Sequence, residues 1–384
     1  MFTILIVGKE KLRSAKIPQY SRHRLISGSN QHTLLVRLSF NRYLGLSRKG
    51  IAPLGNLSEP YDIVHSVNDI PLTKKPWIVT FEDLLPRTFG LGGDRVMKLI
   101  RPRMLARNCL RLVGQSKYAI KRLSMWNNGW KGAPRLLEKA AVIYPSIDIQ
   151  PHRPKAYGGD SINMIFCGRD FARKGGVSAV RLAKLAHDQG LPLKMHIVSD
   201  LRLGQYTDHT DAKRYKADLE LLDLPNIVYH KGLENHKILG LLQKCEFQYL
   251  PTIGDTFGFS VVEGLSVGTP AIVSNTCAMP ELVQHGKSGY LLDVDVNEVN
   301  DISWLRPTSN AADVAYRGTD MYWEYLDHTY TSFALQTLEV LEGLIENPNT
   351  YESLSAGALA RAASQHDARK MSQKYDQLYD EAMR

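Results

Sequence analysis

Between residues 161 and 293, short apolar runs alternate with stretches whose apolar positions recur every three to four residues, the rhythm of repeated βαβ units. The runs predict strands at Ile162–Cys167, Leu193–Val198, Ile227–His230, Phe247–Leu250, Ala271–Val273 and Tyr290–Leu292. The periodic stretches predict helices at Val177–His187, Ala212–Leu222, His236–Gln243, Ser260–Val267 and Pro280–Gln284. The strands are rich in β-branched and aromatic residues, and Gly, Pro or Asp lies in the links between them. That pattern predicts a parallel, doubly wound sheet buried on both faces. Ligands of such sheets bind outside the carboxyl ends of the strands. Residues 1–150 carry the rhythm less regularly, with strands expected at Thr3–Val7, Leu34–Leu38, Asp62–His65, Trp77–Thr80, Arg111–Val113 and Val142–Tyr144. The segment Tyr144 to Pro154 holds three prolines in eleven residues and reads as an interdomain connection. The expected organisation is α/β in two domains, 1–150 and 151–384, the second ending in helical stretches at Ser332–Glu346 and Tyr351–Met383. A chain of 384 residues exceeds one ordinary domain of about 100–200 residues, which agrees.

Composition narrows the class. An apolar content of 43% with 23% charged residues is that of a folded globular chain and excludes disordered and fibrous proteins. No apolar run approaches the roughly 18–20 residues of a bilayer span. Met1 to Gly8 reads as a strand and turn without a basic leader, so a cytoplasmic location is expected. Cys109, Cys167, Cys245 and Cys277 lie far apart with no Cys-x-x-Cys pair, which argues against a zinc site or a disulfide framework. Charge is unevenly divided: residues 1–150 carry 25 Lys/Arg against 9 Asp/Glu, and residues 151–384 carry 23 against 30. The basic half implies an anionic partner; nucleic acid, a membrane surface and phosphorylated ligands all fit.

Two constellations carry chemistry. In the first, the strand ending at Cys167 runs into Gly168-Arg169-Asp170-Phe171-Ala172-Arg173-Lys174-Gly175-Gly176, a basic loop that opens a helix. Arg169 and Lys174 beside a helix N-terminus suit a diphosphate, and a solvated basic loop is the alternative. The glycine spacing is not that of a P-loop, and no Ser or Thr follows Lys174. In the second, Pro251 to Pro270 carries Asp255 in a loop with Gly254 and Gly258, then a helix bearing Glu263 among Val261, Val262 and Leu265. A carboxylate in that setting needs a partner, and the hydroxyls of a ribose would supply one.

The stretch from Asp255 to Glu263, continued by Gly268-Thr269-Pro270-Ala271-Ile272-Val273 and Met279-Pro280-Glu281-Leu282-Val283, resembles the Glu-x7-Glu region of the family 4 retaining glycosyltransferases. Upstream, Gly168-Arg169, Lys174-Gly175 and His230-Lys231-Gly232-Leu233 fit the same pattern. The resemblance implies a GT-B fold, in which two Rossmann-like doubly wound domains face a cleft, with the last helix packing back on the first domain. It implies that Arg169 and Lys174 neutralise the diphosphate of a UDP- or GDP-linked sugar and that the Phe257, Gly258 and Phe259 backbone cradles the phosphates. It also implies that Glu263 holds the ribose and Asp255 contacts the transferred sugar, with no metal or other cofactor. Asp255 replaces the usual Glu and is one methylene shorter, so helix capping is its alternative role. The family's glycine-rich loop after the first strand is missing: Gly8 is followed by Lys9-Glu10-Lys11-Leu12-Arg13.

In the first domain, Trp77 to Asp83 is an apolar strand ending in Glu82 and Asp83. Either acid could orient or deprotonate an acceptor hydroxyl; a helix cap or a structural ion pair fits equally. Ser116 reads as a helix N-cap. Asp293-Val294-Asp295 matches a short metal-binding pattern that recurs by chance. From Arg87 to Lys139 there are 13 Lys/Arg against 2 Asp/Glu, and Arg103, Arg107 and Arg111 are expected on one helical face. Such a surface suits anionic lipid at the inner face of the cell membrane. The resulting expectation is a peripheral, retaining glycosyltransferase of polysaccharide or glycolipid biosynthesis, acting on a glycan or lipid-linked acceptor. The competing readings are a non-catalytic homologue that binds glycan or nucleotide, and a polyanion-binding protein. The latter lacks any recognisable nucleic-acid module, and no specific nucleic acid is expected as a partner.

Overall fold

The computed structural model describes residues 1–8, 16–27, 51–53, 59–87, 93–204, 206–305 and 311–383. The expected strand Leu34–Leu38 lies outside them. The chain divides into two compact units, one of Met1–Asp148 with Gln365–Arg384, the other of Ile149–Ser364.

The first unit is built on β1 (Thr3–Val7), β2 (Arg24–Ser27), β3 (Ile51–Pro53), β4 (Ile63–Val67), β5 (Ile70–Leu72), β6 (Trp77–Phe81), β7 (Cys109–Gly114) and β8 (Ala140–Val142). Six of these form a parallel sheet in the order β2-β1-β4-β6-β7-β8, and β3 pairs with β5. Helices α1 (Gly93–Leu105), α2 (Lys117–Trp126) and α3 (Ala133–Glu138) follow β6 and β7. Leu5, Val64, Trp77, Val79 and Phe81 on one sheet face pack with Ile100, Met104, Ala119, Leu123 and Leu136 of these helices. Ser116 caps α2, its side chain accepting from the Ala119 N–H at 2.9 Å. The expected strand Val142–Tyr144 is displaced: pairing with β7 covers Ala140–Val142, and Pro145, which has no N–H, follows close behind.

One expectation is corrected here. Arg103, Arg107 and Arg111 do not share a helical face, because α1 ends at Leu105 and Arg111 lies in β7. Arg103 donates to the carbonyls of Pro71 and Thr73, both at 3.2 Å, so part of the basic stretch is spent on internal bonding.

The second unit is a parallel sheet of β9 (Ile162–Cys167), β10 (Leu193–Val198), β11 (Ile227–His230), β12 (Phe247–Leu250), β13 (Ala271–Ser274) and β14 (Gly289–Leu292), ordered β11-β10-β9-β12-β13-β14. Its helices are α4 (Gly176–Asp188), α5 (Lys216–Glu220, flanked by 3-10 turns), α6 (Asn235–Lys244), α7 (Phe259–Ser266), α8 (Met279–Leu282), α9 (Ala311–Arg317), α10 (Asp320–Glu346) and α11 (Thr350–Gln365). Helix α10 begins twelve residues before the expected Ser332, where the Thr319 hydroxyl accepts from the Tyr322 N–H at 3.2 Å.

The expected continuous helix Tyr351–Met383 is broken at His366 and Asp367. Asp367 caps a new helix, α12 (Ala368–Ala382), by accepting from the Lys370 N–H. Ile147 and Asp367 form a parallel bridge, so the chain returns to the first unit there. Met371, Tyr375, Leu378 and Tyr379 of α12 cover the second face of the first sheet, against Ile4, Ile6, Ile63, Ile78 and Val113.

Candidate functional site

In the second sheet the strand order reverses between β9 and β12: β9, β10 and β11 proceed to one side, β12, β13 and β14 to the other. Such a switch point leaves a crevice at the carboxyl ends of the two strands. Two loops line it, 168–175 after β9 and 251–258 after β12.

The loops are laced together. The Arg173 carbonyl accepts from the Ile253 N–H and from the Thr252 hydroxyl, each at 3.0 Å. Its guanidinium donates to the Gly254 carbonyl at 2.6 Å and pairs with Asp170. Gly175 has φ +91°, and a Cβ there would lie 2.3 Å from the Pro251 carbonyl oxygen. Only glycine satisfies both the backbone angle and the close approach.

Within this frame Lys174 makes an ion pair with Asp255, both largely buried. Burial alone would raise the Asp255 pKa, but Lys174, Arg173 and the Phe257 N–H outweigh it and hold the carboxyl below the usual carboxylate range. Burial pulls Lys174 in the opposite sense to its partner's charge, lowering its pKa. Arg169, in the same loop as Lys174, is exposed, and its guanidinium forms no ion pair among the described residues. Asp255 does not take the N-cap position of α7: Gly258 occupies it with φ +87° and has no side chain with which to cap the helix. A helix N-terminus favours an anion in front of it.

Glu263, in the second turn of α7, is partly buried, and burial raises its pKa. Asn235, the first residue of α6, donates to its Oε1 at 3.0 Å and opposes that rise. The thiol of Cys167 is raised first by burial and then by Glu263, which puts the carboxylate close to the carboxyl end of β9. Arg169, Lys174, Asp255, Glu263 and the 257–259 backbone are therefore gathered in one region of the second unit. Sequence reasoning missed Arg173 and Asn235 as residues that hold this region together; the Asp170-x-x-Arg173 spacing was the available signal for the first.

Glu82 lies in the other unit, at the carboxyl end of β6. It forms ion pairs with Lys16 and, at 2.8 Å, with Arg87, and its carboxylate accepts from the Asn68 amide at 3.4 Å. Asp83 accepts from Arg122 at 2.8 Å. Past β14, the backbone of Asp293 pairs with the Gln336 side chain. Among the described residues no three His, Cys, Asp or Glu side chains gather as a metal-binding set, and no helix is long and apolar enough to cross a membrane.

Residues 150–304 match the family model described as glycosyl transferases group 1. A putative colanic acid biosynthesis glycosyltransferase, WcaL of Salmonella typhimurium, is 27% identical over 164 residues, which are 40% of this chain and 38% of that protein. The chain thus spans under half the length of the curated relatives it first matches. Likeness to solved structures runs the whole length. A glycosyltransferase from Rickettsia africae superposes with a TM-score of 0.63 at 14% identity, covering 100% of this chain and 99% of that one. HepE of Anabaena, solved in complex with UDP-glucose, superposes with a TM-score of 0.56 at 13% identity, covering 99% and 100%. The chain has the GT-B fold of two Rossmann-like α/β units, and its second unit carries the group 1 glycosyl transferase pattern.

Proposed function

We propose that the protein is a retaining, metal-independent glycosyltransferase that moves a sugar from a UDP- or GDP-linked donor to a glycan or lipid-linked acceptor in polysaccharide or glycolipid biosynthesis. The observation that carries this reading is the Lys174–Asp255 pair joining the two loops at the switch point of the second sheet, with Arg169 on the first loop and Glu263 on the helix that follows the second. When the glycosidic bond breaks, negative charge grows on the departing diphosphate. Fixed cations and helix N–H groups at that point stabilise the transition state more than the ground state. Glu263 is assigned to the ribose hydroxyls and Asp255 to the transferred sugar. Glu82 is assigned to orienting the acceptor rather than to proton abstraction, since its carboxylate already engages Lys16 and Arg87.

The retaining course and the independence from metal are supported by the Asp255-x7-Glu263 resemblance. Peripheral association with an anionic membrane at its cytoplasmic face is supported by the positive charge of the first half. Donor hydrolysis and transfer to membrane-extract acceptors test the reading. Lys174→Ala is expected to lower turnover at least a hundredfold through lost charge stabilisation. Glu263→Ala is expected to act mainly on donor affinity. Unchanged turnover in both variants overturns the site; donor binding without transfer to any acceptor favours a non-catalytic binding protein.

A further inference from the structure

Lys174 and Asp255 are assigned opposite tasks toward the donor, one holding phosphate and one facing the sugar, yet in the structure they hold each other. The two side chains come from different loops, 18% and 10% exposed, and Arg173 between those loops is committed to Asp170 and to the Gly254 carbonyl. A diphosphate that takes Lys174 therefore removes the direct partner of Asp255. A largely buried carboxylate that loses its ion-pair partner is destabilised unless new donors reach it.

An intact nucleotide-sugar brings such donors, the hydroxyls of the sugar. A free nucleoside diphosphate does not. Its terminal phosphate also carries close to one more negative charge at neutral pH, because the second ionisation of such a phosphate falls near pH 6. That charge sits where the sugar was and faces the carboxylate directly.

Resting on the donor-site reading above, we propose that Asp255 is a specificity-determining residue that distinguishes the intact nucleotide-sugar from the free nucleoside diphosphate. By reclaiming Lys174 it expels the spent nucleotide. The lacing by Arg173 keeps the two loops at the spacing this exchange needs, so the competition is between carboxylate and phosphate for one amine.

Isothermal titration of the full-length protein with UDP, GDP, UDP-glucose, GDP-mannose and inorganic pyrophosphate tests this. Wild type is expected to prefer a nucleotide-sugar to the matching free diphosphate. Asp255→Asn, isosteric and uncharged, is expected to bind the free diphosphate and pyrophosphate at least tenfold more tightly than wild type, and to lose the preference. Asp255→Ser provides a second neutral variant, and Asp255→Glu, which keeps the charge, should retain wild-type discrimination. Equal or weaker binding of free diphosphate by both neutral variants, with nucleotide-sugar still bound by wild type, overturns the role of Asp255 and leaves the donor site standing. Failure of every nucleotide, nucleotide-sugar and pyrophosphate to bind wild type and variants overturns the donor site, and the role of Asp255 with it.

Discussion

Asn235 donates to the Glu263 carboxylate in a setting where burial pushes that carboxyl upward. The Asn235 bond opposes that rise and ties one carboxylate oxygen, Oε1, to α6. Replacing Asn235 by Ala removes a hydrogen bond to a charged group, about 1.5–3 kcal/mol before solvent screening. Asn235 is exposed, so water recovers part of that, and about 0.5–1.5 kcal/mol is expected. The expected outcome is a roughly two- to twelvefold loss of nucleotide-sugar affinity with little change in turnover at saturation, readable as a rise in KM at constant kcat. A fall in kcat with unchanged KM would assign Asn235 to the transition state instead. Arg173 is a cation spent on architecture, bonded to Asp170 and the Gly254 carbonyl, while its neighbour Lys174 pairs with Asp255 and is the one proposed to meet the diphosphate. Adjacent basic residues in sequence thus take different partners, Asp170 and Asp255, a division the sequence does not display.

Among the elements, the second sheet was legible because parallel strands buried on both faces leave continuous apolar runs, and β9, β10, β11 and β12 fall at their expected bounds. The positions of the two loops proposed to hold the donor were legible for the same reason, since each follows a buried strand that stops abruptly, at Gly168 or Pro251. The edge strand β2 and the pair β3 and β5 were not, being three or four residues long and lacking a distinct apolar run. Nor was the break between α11 and α12, which depends on a bridge from Ile147 more than two hundred residues away. Hidden too was why His65 sits at the centre of β4. Its Nδ1 meets the Tyr379 hydroxyl of α12 at 2.6 Å and its Nε2 meets Thr80 Oγ1 at 2.7 Å, all fully buried. Burial pushes its pKa down to about 3, whereas in the unfolded chain it titrates near 6.5. The unfolded chain therefore takes up a proton that the native chain refuses. The stability so contributed is complete above about pH 6.5 and is lost progressively as pH falls toward about 3. Calorimetry between pH 7 and 4 should show a steeper fall in Tm for wild type than for His65→Asn; parallel curves would remove His65 from the acid response. Tyr379→Phe, which orphans Nδ1, should cost about 1–3 kcal/mol at pH 7.

At the scale of the molecule, the charge imbalance follows the folded units as well as the halves of the sequence. The first unit, including its returning C-terminal segment, carries 29 Lys/Arg against 13 Asp/Glu, and the second carries 19 against 26. The proposed donor site lies in the acidic unit and draws on few cations, so on that reading the basic excess is assigned to another partner. With Arg101 and Arg103 bonded internally, an exposed basic surface is offered by α2, where Lys117 and Lys121 stand one turn apart and Met125, 39% exposed, follows a turn later. Two cations and an apolar side chain on one helical face match an anionic bilayer surface, where each Lys contributes about 1 kcal/mol and screening confines the effect to roughly 10 Å at 0.1 M salt. The double substitution Lys117→Glu, Lys121→Glu should lower binding to phosphatidylglycerol-containing vesicles at least tenfold at low salt in co-sedimentation. It should leave nucleotide-sugar binding unchanged, because these residues belong to the other unit. Binding by wild type should vanish near 1 M salt, where the screening length falls to about 3 Å. Wild-type protein that ignores anionic vesicles even at low salt would instead tie the basic excess to a soluble anionic acceptor, such as a phosphorylated carrier, competing for the same cations.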